Sequence, residues 1–208
     1  MDIRKLFSLE GRVALVTGAT HGLGMAVATA LAGAGATLAV NGHSADRLDK
    51  ALKTYENKGI DAKGYLFDVT DEQAVAEGVA RIEREAGPID ILVNNAGIIK
   101  RIPALEMTLP EWNEVIATDL TSPFLMSRAV AAGMIRRGHG KIVNMCSMMS
   151  EVGRSSVTAY AAAKGGLKML TKNLATEWAK HNIQVNGIGP GYFATEQTAP
   201  IRVNGNPF

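Results

Sequence analysis

Near the start of the chain stands Val13-Ala-Leu-Val-Thr-Gly-Ala-Thr-His-Gly-Leu-Gly24, an apolar run followed by a glycine-rich turn. A short run that is apolar at every position is typical of a strand buried on both faces of a parallel sheet. Gly18, Gly22 and Gly24 allow a tight turn, and the free N–H groups of a following helix favour negative charge. The stretch therefore predicts a pyrophosphate-binding turn that also includes Thr20, His21 and Leu23. The spacing is Gly-x-x-x-Gly-x-Gly rather than the commoner Gly-x-Gly-x-x-Gly, and a plain strand–helix turn is the alternative.

Strand-like and helix-like patterns alternate along the rest of the chain. Strands are predicted at Arg12–Thr17, Thr37–Asn41, Lys63–Phe67, Ile89–Asn94, Lys141–Cys146 and Gln184–Ile188. Helices are predicted at Leu23–Ala34, Ala45–Asn57, Asp71–Ala86 with Thr70 as N-cap, Pro110–Ala117 continuing to Arg136, and Ser156–Lys180. This order predicts a doubly wound, Rossmann-like α/β fold, with a parallel sheet between two helical layers and one domain over residues 1–208. Ligands of such folds bind at the carboxyl ends of the strands.

Composition excludes several classes of function. Of the 208 residues, 47% are hydrophobic and 20% are charged, with a net charge of +2, which is ordinary for a soluble globular protein and argues against nucleic-acid or polybasic membrane binding. No apolar run approaches the length of a membrane span, and Met1–Glu10 does not resemble a signal peptide. The single cysteine, Cys146, predicts a reduced, cytoplasmic location. The four histidines lack metal-ligand spacing, so no metal is predicted.

The end of the second predicted strand bears on the choice of cofactor. A dinucleotide fold that binds NAD usually has Asp or Glu here to hold the ribose 2′-hydroxyl, but this chain has Gly42 and His43. Without the acid, nothing repels a 2′-phosphate, and His21 and His43 could donate hydrogen bonds to it. NADP(H) is therefore the predicted cofactor, with NAD(H) as the alternative. Each histidine could equally be an exposed turn residue.

Three further residues form a candidate catalytic set. Tyr160 and Lys164 are four positions apart, which places them on one helical face. A lysine charge beside a tyrosine can stabilise the phenolate, so Tyr160 could act as general acid or base on an alcohol or ketone. Ser147 directly follows the fifth strand and could hydrogen-bond the substrate oxygen. The alternative for Tyr160 and Lys164 is an ordinary amphipathic helix.

Together these motifs resemble those of the short-chain dehydrogenase/reductase family. The resembling segments, in order, are Thr17–Gly24, Asp68-Val69, Asn94-Asn-Ala-Gly97, Ser147, Tyr160-x-x-x-Lys164 and Pro190-Gly191 with Thr195. The resemblance implies that Asp68 and Val69 lie by the adenine and that Asn95 and Ala96 line the cofactor. It further implies that Lys164 holds the nicotinamide ribose, that the segment Pro190, Gly191, Phe193 and Thr195 covers the nicotinamide, and that the protein is a homotetramer or homodimer.

Within the family the chain most resembles gluconate 5-dehydrogenases, also called 5-keto-D-gluconate reductases. The resemblance rests on Ala96–Arg101, Cys146–Glu151, Tyr160–Leu170 and Gly187–Pro200, and it implies interconversion of 5-keto-D-gluconate and D-gluconate. Arg154 could bind the substrate carboxylate or be plain surface charge, and Lys100 and Arg101 are predicted to lie in a solvated loop. The alternatives are another keto sugar acid, as in 2-deoxy-gluconate 3-dehydrogenases, a ketoacyl substrate, or a non-catalytic nucleotide-binding module.

The chain departs from the family pattern at two places. Asp119 stands where the family has an asparagine that supports a lysine–water proton relay. An aspartate can accept the same hydrogen bonds but adds a charge, and Asp119 is predicted to belong to the catalytic site. The family also continues into a further helix and a last strand, whereas this sequence stops at Pro207-Phe208. Either the sequence continues beyond Phe208 or the last strand is missing, and a sheet without that strand is expected over these residues.

Overall fold

The computed structural model describes residues 3–202. Its strands are β1 Val13–Val16, β2 Thr37–Gly42, β3 Ala62–Leu66, β4 Ile89–Asn94, β5 Gly140–Met145 and β6 Ile183–Ile188. Its helices are α1 Ile3–Leu6, α2 Gly22–Gly33, α3 Ala45–Asn57, α4 Glu72–Glu85, α5 Leu109–Ile116, α6 Ser122–Arg137 and α7 Thr158–Trp178. A π-helical turn, Ala117–Thr121, joins α5 to α6, and three 3₁₀ turns lie at Met148–Ser150, Ala179–His181 and Glu196–Ile201.

The strands form one parallel sheet in the order β3-β2-β1-β4-β5-β6. The chain builds outward from β1 to β3 and then returns to the other side of β1 with β4. The loops after β1 and β4 therefore diverge, which opens a crevice at the carboxyl edge of the sheet. The predicted fold is confirmed, and each predicted strand ends within one residue of its observed bounds.

The sheet separates two hydrophobic clusters, because its side chains alternate between the two faces. Val13 and Leu15 of β1 face a cluster that includes residues of α4, α6 and α7. Ala14 and Val16 face a second cluster that includes residues of α2 and α3. All four β1 residues are buried, which is why this strand is apolar throughout. The three-layer arrangement thus follows from burial on both faces.

The long helix predicted from Pro110 to Arg136 is interrupted. The π-helical turn falls in its middle, between α5 and α6. Pro123 has no N–H group to donate to the carbonyl one turn earlier. In addition, the Thr118 hydroxyl donates to the carbonyl of Glu114 at 2.9 Å, and the Ser122 hydroxyl donates to the carbonyl of Thr118 at 2.7 Å. Hydroxyl-to-carbonyl bonds of this kind favour local bending. The interruption matters because Asp119 lies within this turn.

The predicted N-cap of α4 is wrong by one residue. Asp71, not Thr70, caps the helix, and its carboxylate accepts a hydrogen bond from the N–H of Ala74 at 3.0 Å. Thr70 is occupied elsewhere, since its hydroxyl donates to Asp68 at 2.7 Å. Within residues 3–202, no helix is both long and apolar enough to cross a membrane.

Candidate active site

A cleft of about 770 Å³ opens at the carboxyl edge of the sheet, at the reversal of strand order. Its volume is in the range of small-molecule and cofactor sites. The cleft is lined by every residue that the sequence proposed for a site, namely Gly18, Thr20, His21, Gly22, Leu23, Gly24, His43, Asp68, Val69, Asn95, Ala96, Asp119, Ser147, Arg154, Tyr160, Lys164, Pro190, Gly191, Phe193 and Thr195. The fold therefore brings together residues from across the whole chain, and their individual roles stay predictions.

The glycine turn after β1 is held against the loop after β4. The side-chain amide of Asn95 donates to the carbonyls of Thr17 and Gly18, both at 3.0 Å, and the Thr17 hydroxyl accepts from the N–H groups of Asn95 and Ala96. A Cβ on Gly18 would stand 2.8 Å from the Cα of Ala96, and one on Gly24 would stand 2.5 Å from the carbonyl oxygen of Gly18. Glycine is thus required at 18 and 24 by close packing of backbone on backbone.

The amino end of α2 opens into this cleft without a side-chain cap. His21 is the N-cap residue, its backbone is extended, and its side chain makes no capping hydrogen bond. The first N–H groups of α2 are therefore available to an anion, and the helix dipole favours negative charge there. Gly22 has a φ of +56° and faces Thr195 across the cleft. This geometry fits a pyrophosphate.

The end of β2 has little room for a side chain, and a basic residue of α3 lines the cleft nearby. A Cβ on Gly42 would stand 2.8 Å from the methyl group of Thr20, so a larger residue fits there only if Thr20 shifts. Arg47, in the first turn of α3, lines the cleft together with His43. The sequence analysis missed Arg47, although a basic residue shortly after the β2 turn was a usable signal. A guanidinium here suits a 2′-phosphate.

Tyr160, Lys164 and Ser147 share the inner part of the cleft. Tyr160 and Lys164 lie on α7 one turn apart, and the Lys164 Nζ is 5.5 Å from the centre of the tyrosine ring. Ser147 comes just after β5 and caps the 3₁₀ turn Met148–Ser150, where its Oγ accepts a hydrogen bond from the N–H of Met149 at 3.1 Å. Because that bond uses only a lone pair, the hydroxyl hydrogen of Ser147 remains available to a substrate oxygen.

Lys164 is anchored by a buried ion pair. Its Nζ donates to the carbonyl of Met145 at 2.9 Å and lies 3.1 Å from Oδ2 of Asp119. The side chains of Lys164 and Asp119 are 6% and 0% exposed. The other oxygen of Asp119 accepts a hydrogen bond from the N–H of Ile98 at 2.7 Å. Burial raises the pKa of Asp119, and the charge of Lys164 opposes that rise.

Arg154 and Tyr192 join the two loops that border the mouth of the cleft. Arg154, between β5 and α7, donates to the Tyr192 hydroxyl at 2.9 Å, and its guanidinium lies 6.0 Å from the centre of that ring. Tyr192, which also lines the cleft, was missed although it falls inside the predicted Pro190–Thr195 segment. Lys100 pairs with Glu114, and Arg101 lines the cleft, so neither is the plain solvated residue that the sequence analysis predicted.

Among residues 3–202, no group of three or more His, Cys, Asp or Glu side chains is arranged to hold a metal ion.

Comparisons with known proteins identify the family of this chain. The family model for short chain dehydrogenases matches residues 12–205. The 2-dehydro-3-deoxy-D-gluconate 5-dehydrogenase of Formosa agariphila is 63% identical over 204 residues, which are 98% of this chain and 77% of that protein. The gluconate 5-dehydrogenase of Gluconobacter oxydans is 50% identical over 193 residues, which are 93% of this chain and 75% of that protein.

A solved structure shows the same fold with a ligand. It is a gluconate 5-dehydrogenase from Burkholderia cenocepacia in complex with NADP and tartrate, 39% identical to this chain, with a TM-score of 0.91. The match covers 96% of this chain and 78% of that one. The predicted resemblance to gluconate 5-dehydrogenases is confirmed by these relatives. The chain therefore belongs to the short-chain dehydrogenase/reductase family, whose members are oxidoreductases acting on CH–OH groups.

Proposed function

We propose that this chain is an NADP(H)-dependent oxidoreductase that interconverts a ketone and a secondary alcohol at C5 of a six-carbon sugar acid. One observation carries the proposal: the phenol of Tyr160, the ammonium of Lys164 and the hydroxyl of Ser147 line the same cleft as the glycine turn. A non-catalytic nucleotide-binding module would have no need of that set.

The cleft fits NADP in several places. The uncapped amino end of α2 would hold the pyrophosphate, and Arg47 with His43 would face the 2′-phosphate. Asp68 and Val69 would border the adenine, and the remaining predicted contacts would be Asn95, Ala96, Lys164, Pro190, Gly191, Phe193 and Thr195. The Burkholderia cenocepacia relative was solved in complex with NADP, which supports this choice over NAD. When bound, the nicotinamide supplies or accepts the hydride.

The chain's own residues handle the proton and the charge. Tyr160 would give a proton to the substrate oxygen during reduction and take it back during oxidation. Ser147 would donate a hydrogen bond to the same oxygen and stabilise the charge that develops on it. Lys164, fixed by Met145 and Asp119, would hold the ribose beside the ring of Tyr160.

Arg154 is the proposed contact for the substrate carboxylate. It is half-buried, it lines the cleft, and its present partner is the neutral hydroxyl of Tyr192. A carboxylate can bind a guanidinium through two parallel hydrogen bonds, which is stronger than one bond to a phenol. The guanidinium could therefore exchange Tyr192 for the substrate.

Two substrates satisfy this arrangement. We place 2-dehydro-3-deoxy-D-gluconate first, because the Formosa agariphila relative named for it is 63% identical to this chain. D-gluconate, with 5-keto-D-gluconate as its oxidised partner, comes second on the 50% identity with the Gluconobacter oxydans enzyme. Both carry a carboxylate at C1 and a hydroxyl at C5, so the contact with Arg154 does not distinguish them.

Steady-state assays in both directions test the proposal. Oxidation of both alcohols is measured with NADP⁺ and with NAD⁺, and reduction of 5-keto-D-gluconate and of a ketoacyl thioester is measured with NADPH. We expect turnover of a sugar acid with preference for NADP⁺. Arg154→Ala should raise its KM about tenfold or more, since a charged hydrogen bond is lost, whereas Arg128→Ala, which removes a surface arginine paired with Glu72, should not. Cofactor binding without turnover of any ketone or alcohol would contradict the proposal and favour the binding module.

Assembly and location belong to the same proposal. Helices α6 and α7 expose Phe124 and Met169, at 40% and 53%, and a homotetramer or homodimer would cover such apolar side chains. Analytical ultracentrifugation of the full chain would show a monomer if this is wrong. The cytoplasmic location, which rests on the free thiol of Cys146, stays a prediction.

A further inference from the structure

The buried pair of Asp119 and Lys164 stands directly beside the proposed acid/base. The Lys164 Nζ lies 3.1 Å from the Asp119 carboxylate on one side and 5.5 Å from the centre of the Tyr160 ring on the other. Both charged side chains are almost completely buried. Charges in so dry a place act on their neighbours far more strongly than they would in water. The ionisation of the phenol must therefore depend on the sum of these two charges.

We infer that Asp119 is the counter-charge of Lys164, and that it keeps Tyr160 in its phenol form near neutral pH, ready to give a proton to a ketone. A lone ammonium at this distance would favour the phenolate, whereas an ammonium beside a carboxylate acts as a nearly neutral pair. This inference rests on the acid/base role proposed for Tyr160. It makes Asp119 a positioning residue that acts through Lys164.

Among the groups around Tyr160, this ion pair has the largest electrostatic effect on the phenol. Tyr160 packs against an apolar cluster formed by Val115, Ala159 and Ala163, and the other side chains packed on that cluster are also apolar, namely Ile98, Met107, Trp112, Ile116 and Leu120. On the β5 side, burial raises the pKa of the Cys146 thiol despite the charge of Lys164. The other charged side chains that line the cleft are more exposed to solvent and screened by it: Arg47, Asp68, Arg101, Glu114 with its partner Lys100, and Arg154.

The ion pair also explains why the carboxylate stays charged although it is fully buried. Burial raises the pKa of Asp119, but the charge of Lys164 and the hydrogen bond from the N–H of Ile98 both stabilise the ionised form. Gly97 leaves room for it, since a Cβ there would stand 2.9 Å from Oδ2 of Asp119. An asparagine could keep the bond from Ile98 through its amide oxygen, but it would lose the negative charge and place an NH2 donor where Oδ2 now faces Lys164.

The test compares Asp119→Asn and Asp119→Ser with the wild type in the oxidation direction, across a range of pH. Oxidation needs the phenolate, and removing the negative charge stabilises the phenolate. The acid limb of kcat/KM should therefore move to lower pH by about one unit in both variants. Glu151→Gln removes the same charge from an exposed residue paired with Lys168, and it should leave the limb in place. An unmoved limb in both Asp119 variants would overturn the inference.

A second measurement needs neither a variant nor turnover. In wild-type protein labelled with ¹³C at the aspartate carboxyl groups, exposed aspartates are all ionised at pH 8. The inference expects no protonated carboxyl signal at that pH, and a protonated one would overturn it. This measurement also distinguishes a failure of the proposed function from a failure of the inference about Asp119. If the wild type turned over no sugar acid, the proposed function would fail while the carboxyl signal still reported on the pair.

Discussion

The carboxyl and amino edges of the sheet each hold an aspartate beside a cation. At the carboxyl edge, Asp119 and Lys164 are almost completely buried and lie within the cleft. At the amino edge, Asp90 lies 2.9 Å from Nε2 of His139 and 3.5 Å from Arg12, whose side chains are 38% and 50% exposed. Similar pairs of groups thus have different surroundings, and the surroundings decide whether a charge pair can influence chemistry or only tie strands together.

The amino-edge aspartate acts mainly on the backbone. Oδ2 of Asp90 accepts a hydrogen bond from the N–H of Val13 at 3.0 Å, which joins the start of β4 to the start of β1. His139 and Arg12 come just before β5 and β1, so the cluster connects three neighbouring strands. Solvent screens the guanidinium of Arg12, whose side chain is 50% exposed, and its charge therefore contributes little. No residue of this cluster lines the cleft.

The largest effect should come from Tyr160→Phe, at the carboxyl edge. Removing the hydroxyl takes away the group that exchanges the proton, so kcat should fall by about 10²- to 10⁴-fold. The ring still fills its place among the apolar side chains, and NADP⁺ affinity measured by fluorescence titration should stay nearly unchanged. Full activity in this variant would refute the proposed mechanism and leave the two edges equivalent.

Next in size is the loss of stability in Lys164→Met. It leaves the Asp119 charge buried without a partner, which should lower the free energy of unfolding by about 3–5 kcal/mol in urea titrations. Replacing both residues, as Lys164→Met with Asp119→Leu, should recover much of that loss because no charge is then left buried. Activity should not return. If the double variant were as unstable as the single one, the ion pair would not be the reason.

The smallest effect is expected at the amino edge, from Asp90→Ala. It leaves the N–H of the buried residue Val13 without its acceptor and should cost about 1–3 kcal/mol of unfolding free energy. Asp90→Asn keeps an acceptor oxygen and should cost less, which separates the backbone bond from the screened charges. Neither variant should change kcat, and a fall in kcat would mean that the two edges are coupled.

The sequence indicated most of the fold because the decisive signals were local. Most strands were short apolar runs, and Ala45–Asn57 was predicted with its observed bounds. The errors arose where side-chain hydroxyls form hydrogen bonds that the sequence pattern does not show. The helix predicted from Pro110 to Arg136 carried a continuous apolar pattern, but hydroxyl bonds and Pro123 interrupt it. Thr70 was predicted to be the N-cap of α4, but its hydroxyl donates a hydrogen bond to Asp68.

By itself, the sequence determined the glycine turn, the spacing of Tyr160 and Lys164, and the place of Ser147 after β5. These are properties of neighbours along the chain, fixed by helical and strand periodicity. Only the tertiary structure decided which distant groups meet: Asp119 against Lys164, and Arg154 against Tyr192. Such contacts depend on how helices and loops pack around the sheet, and no local pattern encodes the distance between a π-helical turn and α7.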